Sequence, residues 1–145
     1  MPASGPDEQY YSDPHTLFSL DGRVALVTGG AQGIGRAIGL GFAAMGAAVV
    51  VADLNEAESA RVLEEIRGLG GRAASVQGDV SRAEDVERMA TAAAAPFGPP
   101  DILVNSAGVG RESIAPQDLP LATWQRILNI NLTGSFLMCQ AVGRI

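Results

Sequence analysis

From Arg23 onward the chain alternates between two hydrophobic patterns. Uninterrupted apolar runs occur at Val24-Ala25-Leu26-Val27, at Ala48 to Ala52 and at Ile102-Leu103-Val104. A strand with one wet face would alternate apolar with polar, so the continuous run Ala48 to Ala52 predicts a strand covered on both faces. The first strand is expected at about 23–28, and a weaker run at 73–77 supplies a third between Ala48–Ala52 and Ile102–Val104.

The segments between them have helical spacing. Ile34, Ile38, Gly41, Phe42 and Met45 form one stripe, which Gly46 ends. Asn55 is placed to cap a second helix carrying Val62, Ile66 and Leu69, broken by Gly68, Gly70 and Gly71. Ser81 with Glu84 reads as a capping box for a third, with Val86, Met89, Ala90 and Ala93 on one side. Pro96, Gly98, Pro99 and Pro100 stop it. A long amphipathic helix is expected over 122–145, its stripe made of Trp124, Ile127, Leu128, Leu132, Phe136 and Cys139, with Asn131 as a polar intruder. Residues 1–20 show no period and read as a flexible leader, with Leu17, Phe18 and Leu20 folding back on the sheet edge; 21–145 form one domain.

Strands alternating with helices imply right-handed crossovers and an α/β, doubly wound (Rossmann) parallel sheet in the order 3-2-1-4. Such sheets bind ligands beyond the strand C-terminal ends, at the switch point between strands one and four. Thr28, Asp53, Asp79 and Asn105 all fall at those ends. The pattern supplies one half of a doubly wound fold plus strand four, so the sheet is expected to be incomplete, with Ile102–Val104 as an apolar edge. The sequence therefore reads as a fragment of a larger protein.

Composition narrows the functional classes. The 145 residues are 47% hydrophobic with 18 glycines, which fits a globular α/β domain with tight turns. A net charge of −6 without any basic cluster argues against nucleic acid and anionic membrane surfaces as partners. Cys139 has no second cysteine to pair with, and His15 is the sole histidine, so neither a disulfide nor a metal centre is expected. No run approaches the length of a membrane span and no signal-like segment opens the chain, which predicts a cytoplasmic protein. Lysine is absent: the ten basic residues are all arginine.

The most informative stretch is Thr28-Gly29-Gly30-Ala31-Gln32-Gly33-Ile34-Gly35. Glycines between a strand and a helix allow positive φ and close approach of a ligand, and they deliver the chain to a helix N-terminus that attracts phosphate. Asp53 lies 20 positions after Gly33, at the end of the second strand, where a carboxylate can accept both ribose hydroxyls of a dinucleotide. The plainer alternatives are a tight βα turn and a helix-capping aspartate. Under the first reading a 2′-phosphate would meet like charge at Asp53, and Leu54 offers no cation to hold it, so NAD is expected over NADP.

The spacing T-G-x-x-x-G-x-G resembles that of the short-chain dehydrogenase/reductase family. Asn105-Ser106-Ala107-Gly108 resembles its N-N-A-G signature, with serine at the second position, and Ile130-Asn131-Leu132-Thr133-Gly134 resembles the segment carrying its catalytic asparagine. The resemblance implies that Gly29, Gln32, Gly33, Ile34 and Gly35 form the pyrophosphate loop, that Asp53 and Leu54 flank the ribose, and that Asp79 and Val80 contact adenine. It further implies that Asn105, Ala107 and Gly108 line the cofactor pocket, and that Asn131 serves catalysis by holding a water in the proton relay. Without the family, Asp79 and Asn105–Gly108 read as turns, Asn131 as a backbone-satisfied asparagine, and Cys139 as a small buried side chain.

The activity implied is hydride transfer between nicotinamide and a secondary alcohol or ketone, with sugars, polyols, steroids and 3-oxoacyl thioesters as candidates and a slight lean to sugars and polyols. A homodimer or homotetramer is implied through the last helix. Family members also use a serine and a Y-x-x-x-K pair beyond the asparagine segment. Without lysine these residues cannot form that pair, so the chain is expected to be inactive alone. The alternative is a catalytically inactive module that binds NAD or a partner.

Overall fold

The computed structural model describes residues 17–110 and 114–145. Most of the expected leader, with Tyr10, Tyr11 and His15, lies outside the described residues.

Four parallel strands, β1 (Val24–Thr28), β2 (Ala48–Asp53), β3 (Arg72–Gln77) and β4 (Ile102–Asn105), stand in the order β3-β2-β1-β4. All of β1, and β2 through Ala52, are buried, as their unbroken apolar runs require. The period of two sorts their side chains between two cores. Leu26 and Val50 join Val86, Met89, Ala93 and Met138 on one face. Val27, Val49 and Val51 join Val62, Leu63 and Ile66 on the other. Helices α1 (Gly33–Ala44) and α2 (Glu56–Gly68) cover the second face; α3 (Ala83–Ala94) covers the first. The fold is the expected doubly wound arrangement, Rossmann-like in order and covering.

Several local expectations are corrected. The core side of α1 is Gly35, Gly39 and Ala43, while Ile34 is 76% exposed and Gly41 is exposed. Small residues let this helix lie close against the sheet: a Cβ on Gly39 would already touch Val49 Cγ1 at 3.6 Å. On α2, Val62 and Ile66 are buried but Leu69 is exposed, because the helix ends at Gly68 and the chain reverses at Gly70, φ +82°. The Asn55 cap is present, its Oδ1 accepting the Glu58 N–H at 3.1 Å.

The capping box at Ser81 does not form. Asp79 Oδ1 accepts both the Ser81 N–H (2.9 Å) and its hydroxyl (2.7 Å), and α3 starts at Ala83 without a side-chain cap. Leu17 and Phe18 are exposed; only Leu20 docks, donating its N–H to the Met45 carbonyl at 2.7 Å.

The expected helix over 122–145 is three segments: α4 (Leu121–Leu128), a π-helical turn over Asn129–Thr133, and α5 (Gly134–Val142). A π turn inserts extra residues per revolution and rotates the helix beyond it. The buried residues after it are Gly134, Met138 and Ala141, whereas Trp124, Leu132, Phe136 and Cys139 are exposed. The Ser135 hydroxyl donates to the Asn131 carbonyl at 2.8 Å, a back-bond that competes with regular helix pairing.

Candidate functional site

Beyond the C-terminal ends of the strands lies a cavity of about 620 Å³, within the range of small-molecule sites. Its walls come from four connections. The β1–α1 loop supplies Gly29, Gln32, Gly33 and Ile34; the end of β2 supplies Ala52 to Asn55; the β3–α3 turn supplies Gly78 to Val80; the loop after β4 supplies Ser106 to Val109. Arg126 and Ile130 close the remaining side.

Thr28 ties the central loops together. Its side chain is buried, donates to the Val104 carbonyl at 3.4 Å, and accepts the Ser106 and Ala107 N–H groups at 3.2 Å each. That brace draws the loop after β4 against Gly29, where φ is +62° and a Cβ would stand 2.7 Å from Ala107 Cα. Only glycine meets both conditions. Gly35 lies beneath the same turn, and a Cβ there would collide with the Gly29 carbonyl oxygen.

The N-terminus of α1 opens on this cavity. Gln32 makes no side-chain cap and the first turn holds no acid, so its amide N–H groups and positive dipole end are left for a ligand. Arg36, one residue past Gly35, pairs instead with Glu65 of α2.

Asp53 ends β2 on the cavity wall. Oδ2 accepts the Ala31 N–H at 3.1 Å and Oδ1 the Asn55 N–H at 3.0 Å. An ionised carboxylate has about four acceptor positions, so about two stay open. Leu54 beside it is 63% exposed. Across the cavity Asp79 is held by Ser81 and by its own N–H, which donates to Asp85 Oδ2 at 3.0 Å. That N–H, followed by Arg88, lowers the Asp85 pKa from its ordinary value. Val80 is buried against the α3 core with its edge on the cavity.

The sequence candidates thus divide. Gly29, Gln32, Gly33, Ile34, Asp53, Leu54, Asp79, Val80, Ala107 and Gly108 line one cavity. Gly35 acts from below. Asn105 is not in the wall; its Nδ2 donates to Cys139 Sγ at 3.3 Å. Asn131 also stands outside the wall: Oδ1 accepts the Val109 N–H at 2.9 Å and Nδ2 donates to the Val109 carbonyl at 3.0 Å, fixing the loop behind Gly108.

Sequence reading missed Ala52, Asn55, Gly78, Ser106, Val109, Arg126 and Ile130 as cavity residues, and no spacing would have found Arg126, which arrives only through the packing of α4. Among the described residues no cluster of histidine, cysteine or acids could hold a metal, and no helix is long and apolar enough to cross a membrane.

A doubly wound sheet, a glycine turn feeding an uncapped helix start and a carboxylate at the end of β2 define a dinucleotide-site architecture. The glycine cradle and the open acceptor positions of Asp53 fit an adenine dinucleotide. Comparison with known proteins names the group: the sequence profile described as short chain dehydrogenase matches residues 23–145, and the chain belongs to that family. It is 48% identical over 128 residues to the D-threitol dehydrogenase of Mycolicibacterium smegmatis, covering 88% of this chain and 48% of that protein.

The 7alpha-hydroxysteroid dehydrogenase of Escherichia coli K12 is 38% identical over 123 residues, covering 85% of this chain and 48% of its own length. The crystal structure of a short-chain type dehydrogenase/reductase from Mycobacterium marinum superposes with a TM-score of 0.84 at 39% identity, covering 88% of this chain and 51% of that one. The chain spans about half the length of the curated relatives it matches.

Proposed function

We propose that this chain binds NAD and belongs to an oxidoreductase that moves hydride between nicotinamide and a secondary alcohol or ketone. The observation that carries the cofactor choice is Asp53, fixed on the cavity wall by the Ala31 and Asn55 N–H groups with acceptor capacity left over. Those open positions suit the 2′- and 3′-hydroxyls of an adenosine ribose. A 2′-phosphate there would meet the carboxylate charge, and Leu54 brings no counter-charge. The α1 N-terminus would hold the pyrophosphate over Gly33 and Ile34, and Asp79 and Val80 the adenine.

Bound nicotinamide supplies the hydride acceptor or donor. The chain's residues orient it: Gly29 and Gly35 keep the loop low, and Ala107 and Gly108 form the floor. By its place in the Ile130–Gly134 segment, Asn131 takes the relay role. Two of its four hydrogen-bonding positions go to Val109, leaving one donor and one acceptor for a water.

The D-threitol relative, at 48% identity, favours a small polyol or sugar as substrate over a steroid or a 3-oxoacyl thioester. A homodimer or homotetramer joined through the α4–α5 run accords with the same reading. The absence of lysine favours a second reading for the chain on its own, an NAD-binding module without turnover. Titrating the chain with NADH and NADPH by fluorescence, and assaying D-threitol oxidation, tests both. NADH is expected to bind more tightly than NADPH without turnover. Tighter NADPH would refute the Asp53 argument, and turnover would refute the inactive module.

A further inference from the structure

We infer that Arg126 is a specificity residue for the purine, its guanidinium stacking on the base at the adenosine end of the cavity. The inference rests on the NAD reading of the cavity.

Two observations single it out. Arg126 is the one cationic side chain among the described residues that line the cavity, whose wall carries two carboxylates, Asp53 and Asp79. Among the described residues its side chain takes part in no ion pair or hydrogen bond, a condition shared by Arg82, which lies outside the cavity wall, whereas Arg23, Arg36, Arg61, Arg67, Arg88 and Arg144 all hold a carboxylate. Arg72 lies over the Phe97 ring, its Cζ 5.5 Å from the ring centre. A guanidinium free on a cavity wall is available to whatever enters.

Its place on that wall decides which part of a dinucleotide it meets. Ile130, one turn further along the chain, lines the same cavity and packs against the cluster containing Val80. Gly134 is seated on Val80 so closely that a Cβ would stand 2.8 Å from Val80 Cγ2. The α4–α5 run is therefore anchored at Val80, and through Asn131 at Val109. Arg126, one turn before Ile130, is assigned to the stretch of wall beside Val80. The pyrophosphate belongs to the opposite side, where the α1 amides open.

A flat base entering between Leu54, Val80 and Ile130 has apolar edges to lie on and one planar cation to cover it. Guanidinium stacks on π faces and binds them by cation–π attraction, which a lysine ammonium on the same helix would reproduce less well.

The test compares the chain with its R126A and R126K variants, titrated with ADP-ribose and with adenosine and followed by NMR. R126A is expected to weaken both ligands by the same factor, roughly 2- to 30-fold, with R126K recovering little of it. A loss confined to ADP-ribose, or full recovery by lysine, would overturn stacking in favour of a phosphate contact. Unchanged binding by R126A, with the unaltered chain still binding ADP-ribose, would overturn the inference and leave the NAD reading standing. If the unaltered chain binds neither ligand, the NAD reading fails and the inference with it.

Discussion

Each rim of the sheet carries an aspartate that accepts backbone N–H groups, and the two are completed differently. At the N-terminal rim, Asp101 Oδ2 accepts the Val24 N–H at 2.8 Å while Oδ1 takes the Arg23 guanidinium at 3.0 Å. The Asp101 N–H returns to the Val24 carbonyl at 2.8 Å, so the starts of β1 and β4 are locked. At the C-terminal rim, Asp53 accepts two loop N–H groups and, among the described residues, no cation. The same side-chain type is neutralised by a cation at one rim and left beside a cavity without one at the other. The two carboxylates accept equally many hydrogen bonds; what separates them is charge, since Asp101 is paired with a guanidinium and Asp53, among the described residues, is not.

The comparison breaks first at the glycine turn. Gly35→Ala would drive a Cβ into the Gly29 carbonyl oxygen. The loop must move to relieve that contact and carries the amides that face the cavity with it, so NADH affinity should fall more than in any variant below. Urea denaturation should show a loss of about 1–3 kcal/mol. Gly41→Ala, on the exposed side of α1 with open space around it, is the control and should gain about 0.5–1 kcal/mol.

Asp53→Ala comes next. Removing a charged acceptor of hydroxyl hydrogen bonds, worth about 1.5–3 kcal/mol each, should weaken NADH roughly 10- to 100-fold. NADPH should be spared, so the NADH-to-NADPH affinity ratio should collapse. A ratio that survives the substitution would mean that the two rims do not differ in the way described.

Thr28→Val keeps the shape of the brace but strands the Ser106 and Ala107 N–H groups. The expected loss is about 1–3 kcal/mol in chemical denaturation, with a weaker effect on NADH affinity than Asp53→Ala. An unchanged unfolding midpoint would show that water replaces the hydroxyl.

How much of this could be read from the chain differs between sheet and helices. Strands β1 and β2 were legible because strands covered on both faces need continuous apolar runs, and that requirement writes itself locally. The order of glycine turn, second strand and Asp53 was legible for the same reason, since each step is set by neighbours in sequence. Helix faces were less so. The buried side of α1 is Gly35, Gly39 and Ala43, and of the bulky apolar stripe Phe42 packs against the core while Ile34 faces solvent. In the last run the π turn at Asn129–Thr133 shifts the register, so Met138 is buried while Phe136 is exposed. Ser81 loses its capping role to Asp79, a competition between neighbours that a four-residue motif cannot display. Arg126 reaches the cavity through tertiary packing alone.

The smallest expected effect sharpens the comparison from the closed rim. The Val24 N–H, and after it the Arg23 guanidinium, lower the Asp101 pKa below its ordinary value. A carboxylate with a depressed folded pKa contributes stability that is fully present above its unfolded pKa, about 3.9, and is lost as pH falls through the folded value. The Asp101 contribution should therefore be constant from about pH 7 to about pH 5 and fade below about pH 4. Asp101→Asn removes the titration, so the gap in urea midpoint between the unaltered chain and the variant should be largest near neutrality and narrow toward about pH 3. Asp85, lowered in the same direction by the Asp79 N–H and by Arg88, leaves the variant with some acid sensitivity, which Asp85→Asn should remove in turn. A gap that stays constant with pH would mean that Asp101 holds β1 and β4 by shape rather than by charge, and the closed rim would then lose its electrostatic distinction from the open one.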